Sequence, residues 1–68
     1  MKTTEIIEII NSEIAGCFAS EEDGIIEVTV RGKKSDKVYI EDGEVSYKGN
    51  CVSVAGQIAD RFNLVRNF

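Results

Sequence analysis

In three short segments between Ile26 and Tyr47, core-type residues recur on every second position. Ile26, Val28 and Val30 alternate with Glu27, Thr29 and Arg31, and Val38, Ile40, Val45 and Tyr47 continue the alternation on either side of Asp42-Gly43. A period of two is that of a strand with one buried face, and Asp-Gly is a strong signal for a tight hairpin turn. With Asp42 and Gly43 in the turn, Glu41 faces Glu44, Ile40 faces Val45, Tyr39 faces Ser46, Val38 faces Tyr47 and Lys37 faces Lys48. Every apolar residue then lands on one side. Setting Val30 opposite Val38 and Val28 opposite Ile40 across Gly32-Lys33-Lys34-Ser35-Asp36 preserves that side, which a one-residue slip would destroy.

The flanking segments carry the helical period instead. From Thr4 to about Phe18, Ile6, Ile7, Ile10, Ile14, Cys17 and Phe18 recur at three- and four-residue intervals, with Thr3 or Thr4 as cap and Glu5 and Glu8 at the favourable end of the dipole. Ala19-Ser20-Glu21-Glu22-Asp23-Gly24 reads as a polar turn. A second helix begins near Cys51 to Ser53, capped by Asn50 or Ser53, with Ala55, Ile58, Ala59 and Phe62 as its apolar stripe. Gly56 within it is either a weak point or a place of close packing. The tail, residues 63 to 68, either stays flexible, extends the helix or adds a short strand.

The predicted fold is therefore α+β: a helix, a three-stranded antiparallel sheet and a second helix, with both helices on one face of the sheet. The 68 residues form a single domain, near the lower size limit for independent folding. The chain has no histidine, which removes the usual acid/base at neutral pH and the mixed cysteine-histidine zinc sites. No catalytic residue, metal site or cofactor is expected, and no segment approaches the length of a membrane span. Two cysteines, Cys17 and Cys51, read as core thiols in a cytoplasmic setting.

Charge is the most informative property left. Residues 1 to 30 carry a net charge of -6 and residues 31 to 68 a net +2. On the outward side of the predicted sheet, Glu27, Glu41 and Glu44 form one cross-strand row, Thr29, Tyr39 and Ser46 the next, and Arg31, Lys37 and Lys48 the third. Like charges opposite one another are mildly destabilising and invite a partner of opposite sign, unless the face is simply solvated. Glu21, Glu22 and Asp23, with Glu8 and Glu13 before them, could imitate a line of phosphates before a basic channel or merely solubilise the loop. The Arg31-Gly32-Lys33-Lys34 tip, with Lys37 and Lys48, could instead grip phosphate or a carboxylate-rich groove, and Tyr39 could stack a base or a guanidinium.

Two resemblances bear on this choice. The order helix, three strands, helix is similar to the double-stranded RNA-binding domain, although that family's lysine-rich second helix start is here Asn50-Cys51-Val52-Ser53-Val54. Ile6 to Asn11, Ile25 to Arg31 and Val38 to Glu41, over roughly residues 1 to 45, resemble the opening helix and first two strands of small phage-encoded anti-CRISPR proteins. That resemblance implies an acidic inhibitor, working in the host cytoplasm, that fills the nucleic-acid site of an RNA-guided nuclease, with Glu21, Glu22, Asp23, Glu41, Asp42 and Glu44 as the acidic side chains it offers. The expectation is a non-enzymatic module, monomer or homodimer, binding a protein with a basic nucleic-acid-binding surface. Direct RNA or DNA binding through the Arg31 to Lys37 hairpin, and a structural adaptor that self-associates through the Val45 to Lys48 edge, are the alternatives.

Overall fold

Three two-residue turns organise the sheet. Asp23-Gly24, Arg31-Gly32 and Asp42-Gly43 all hold φ between 51° and 81°, the positive values that a type I′ hairpin turn requires at both positions. The computed structural model describes all 68 residues, in the order α1 (Thr3–Glu13), β1 (Cys17–Glu22), β2 (Ile25–Val30), β3 (Lys33–Glu41), β4 (Glu44–Lys48), α2 (Val52–Phe62) and β5 (Val65–Arg66). The strands form one sheet in that same order, antiparallel from β1 to β4 and parallel between β4 and β5.

The expected three-stranded antiparallel sheet between two helices is thus corrected to a five-stranded mixed sheet, with a strand following the second helix. The first added strand, β1, comes from residues assigned above to a helix end and a loop. Helix α1 stops at Glu13, and Ile14 already has extended backbone. Cys17 and Ala19 then continue the inward alternation, opposite Val30 and Val28. The second addition follows from the end of α2. Asn63 adopts the left-handed conformation, its N–H and that of Leu64 bond back to the carbonyls of Asp60 and Ala59, and the chain reverses towards β4. Val65 and Asn67 then donate to Gly43 and Val45.

The β3–β4 register is the one derived from Asp42-Gly43, residue for residue. The β2–β3 register is displaced by two: Val28 faces Val38 and Ile26 faces Ile40. A displacement of two keeps the same residues inward. Its cause is the Arg31-Gly32 turn, which pairs Val30 with Lys33, after which an irregularity in β3 absorbs the residues before Lys37.

All buried sheet residues lie on one side. Ala19, Ile26, Val28, Val30, Val38, Ile40 and Val45 join Ile6, Ile10 and Ile14 of the α1 segment and Ala55, Ile58 and Ala59 of α2 in a single core. Each fully buried valine or isoleucine contributes about 2 kcal/mol by removal from water. The helix starts differ from the expected caps. Glu5 accepts the Lys2 backbone N–H at 3.2 Å, ahead of a helix that begins at Thr3, and α2 is entered from Cys51. Cys51 is buried against the carbonyls of Lys37 and Lys48 and Cys17 is half-buried, both as free thiols.

Candidate protein-binding face

A meander sends alternate turns to opposite ends of its sheet. The β1–β2 and β3–β4 turns therefore share one end, and the β2–β3 turn lies at the other. Glu21, Glu22 and Asp23 arrive at the first end from one hairpin, and Glu41, Asp42 and Glu44 from the other. Across β1 to β4 this end is about 14 Å wide, given the usual strand spacing. None of its six carboxylates is in a salt bridge. Lys33, Lys34 and Lys48 collect at the opposite end, equally unbridged.

The side of the sheet away from the helices is open along its whole width. In cross-strand order its middle row is Ser20, Glu27, Tyr39 and Ser46, and the row towards the basic end is Phe18, Thr29, Lys37 and Lys48. Towards the acidic end, Glu22 pairs with Ile25, and Glu41 with Glu44. These rows correct the expected ones, because the two-residue displacement puts Glu27 beside Tyr39 and no longer beside Glu41. Arg31 leaves the basic row altogether. It occupies a turn position, and its guanidinium reaches the Asp36 carboxylate at 3.5 Å and the Asn50 carbonyl at 3.2 Å.

Lys37 is the best-held cation on the face. Its Nζ lies 3.0 Å from both Glu27 Oε1 and Thr29 Oγ1, and its side chain is only 16% exposed. This bond offsets the repulsion from Lys48 directly opposite. Next to it, Ser20, Glu22, Ile25, Glu27 and Tyr39 line a shallow depression of about 190 Å³. Phe18 stands out at 65% exposure on the outer strand. Sequence reasoning missed Phe18, Ser20 and Ile25 as face residues, and Asp23-Gly24, the same dipeptide as Asp42-Gly43, was the signal that could have placed them.

Asp36, also missed, is the one buried charged residue. Its Oδ1 accepts the Asn50 backbone N–H at 3.0 Å. That hydrogen bond, helped by the nearby Lys33 and Arg31 charges and opposed by desolvation, holds the carboxyl below its ordinary value. Burial raises the pKa of both thiols, Arg31 acting in the opposite direction on each. They are therefore protonated at neutral pH and poor nucleophiles. No group of three or more acidic or cysteine side chains is arranged to hold a metal ion, and no helix is long and apolar enough to cross a membrane. No protein-family model, curated protein or solved structure matches this chain.

Proposed function

We propose that this chain is a non-enzymatic protein-binding module that presents the acidic end of its sheet to the basic, nucleic-acid-binding site of a partner protein. One observation carries the reading: two hairpins bring six unbridged carboxylates to a common end. Six charges over about 14 Å is roughly one per 2.3 Å, between the spacing along one DNA strand and that along a duplex. A channel lined with arginine and lysine would meet comparable charge from either ligand. The sharpest form of the proposal, supported by the anti-CRISPR resemblance, is inhibition of an RNA-guided DNA nuclease by occupation of its DNA site.

The test is a cleavage assay with guide-loaded nucleases of this class, titrated with the chain. Wild type is expected to inhibit at least one of them, and the combined E21Q/E22Q/D23N/E41Q/D42N/E44Q variant to need at least about tenfold more protein. The asparagines keep the positive φ of both turns accessible. Equal inhibition by the neutralised variant overturns the mimicry. Binding of duplex DNA or RNA at low salt that is lost on K33Q/K34Q/K48Q would replace the proposal with direct nucleic-acid recognition.

A further inference from the structure

The acidic end accounts for attraction to a basic partner, but not for the neighbouring depression on the open face. Its lining differs from that of an acidic patch. Tyr39 contributes an aromatic ring, Ile25 an aliphatic wall, Ser20 a hydroxyl, and Glu22 and Glu27 two carboxylates. Glu22 has no salt-bridge partner, whereas Glu27 gives one oxygen to Lys37. The site is half apolar, half anionic, and set in three neighbouring strands of a hydrogen-bonded sheet.

The geometry points to this depression as a receptor for one arginine side chain of the basic partner. An arginine has an apolar stem and a planar cationic head, so it matches both halves of the lining at once. Its methylenes would cover Ile25, while the guanidinium would meet the Tyr39 ring and take a carboxylate through paired N–H donors. Lysine fits less well, because its compact ammonium is more strongly hydrated and lacks a plane to stack. Charge complementarity commits the site to a cation, and the ring beside the carboxylates commits it to a flat one.

Lys37 gives the site an internal competitor. Its ammonium already bonds Glu27 from the neighbouring row, so a guest guanidinium has to share that carboxylate or displace the lysine. Removal of Lys37 therefore does two things: it lowers the positive charge and frees a ligand of the depression. Removal of Lys48, directly opposite Lys37 on β4, makes the same change in net charge without freeing anything in the depression. The difference between these two variants isolates the local effect.

The inference rests on the basic-partner reading, and hexa-arginine and hexa-lysine serve as probes that need no identified partner. Binding is read by titration and by backbone amide shifts in the full chain. Hexa-arginine is expected to bind more tightly than hexa-lysine and to move the amides of Ser20, Ile25 and Tyr39. Y39L and E22Q should each weaken hexa-arginine about threefold or more while affecting hexa-lysine less. K37Q should tighten it by more than K48Q does. Unchanged hexa-arginine affinity in Y39L and E22Q, or equal effects of K37Q and K48Q, would overturn the assignment. Far-ultraviolet circular dichroism and the unperturbed α2 amides identify any variant that has lost its fold, and Y39F, which retains the ring, should then bind as wild type does. Nuclease inhibition lost on neutralising Glu41, Asp42 and Glu44 but kept in Y39L would defeat this site and leave the proposed function standing. Groove binding without inhibition of any nuclease would do the reverse.

Discussion

Of the six glycines, Gly49, beside Asp36, has the least room for a side chain. Gly49 has φ of +84°, and a Cβ there would run into the Ser35 carbonyl and the Asp36 carboxylate. Gly43 has a similar φ of +76°, yet a Cβ on it would meet nothing. The pair separates backbone strain from steric exclusion. G43A should cost about 1 kcal/mol from the left-handed conformation alone, and G49A about 3 kcal/mol, both measured by urea unfolding. Asp36 adds a pH dependence whose sign is fixed by the direction of its shift. The folded carboxyl ionises below the ordinary aspartate value of 3.8, so its contribution is complete above that pH. As pH falls below 3.8 the unfolded chain binds the proton first, and the contribution is lost on the way down through the folded value. D36N, which retains an acceptor for the Asn50 N–H but no charge, should flatten acid unfolding in that window. A D36N profile as steep as wild type would show that other carboxylates govern it.

At the scale of elements, the sheet is protected at its outer edge by one side chain. Asn11 on α1 reproduces the bonds a neighbouring strand would make, its Oδ1 accepting from the Ala19 N–H at 2.7 Å and its Nδ2 donating to the Ala19 carbonyl at 3.4 Å. Exposed edges recruit other strands, and this contact closes the centre of β1. N11A should cost about 1 kcal/mol, accelerate hydrogen exchange at Ala19, and promote self-association through β1 detectable by sedimentation. An Ala19 amide as protected in N11A as in wild type would show that helix packing alone covers the edge. The Val45 to Lys48 edge considered for self-association is already taken at Val45 by β5. These elements also mark what the sequence makes legible. The β3–β4 hairpin follows from Asp42-Gly43 because local turn chemistry and the period-two pattern agree there. Strand β1 does not, because Cys17 and Phe18 extend the three-and-four spacing of the helix and Ser20-Glu21-Glu22 carries no apolar alternation. What makes it a strand is the Asp23-Gly24 turn and the pairing it sets up with Val30, Val28 and Ile26, a local signal that the missing alternation masks. Strand β5, two residues long, is likewise set by the reversal at Asn63. The acidic residues of the candidate site were readable as residues. Their shared end was not, since it depends on how many strands the meander has.

Over the whole molecule, the meander converts sequence order into a charge separation. The acidic end holds six unbridged carboxylates, while the opposite end holds Lys33, Lys34 and Lys48, with Arg31 turned to Asp36. A body only 26 × 23 × 22 Å across, about three Debye lengths at physiological salt, therefore has ends of opposite sign. Such a molecule approaches a cationic surface with one end forward, and the orientation is set before contact. Steering of this kind acts on the association rate and is screened by salt, whereas a side chain seated in the Tyr39 depression is desolvated and governs dissociation. The two contributions should separate in stopped-flow binding to a basic partner. Raising ionic strength from 20 to 200 mM, or neutralising Glu41, Asp42 and Glu44, should lower the association rate by about tenfold while changing dissociation little. Y39L should do the opposite, speeding dissociation at an unchanged association rate. Equal effects of both changes on both rates would mean that the end and the face act as a single undivided surface.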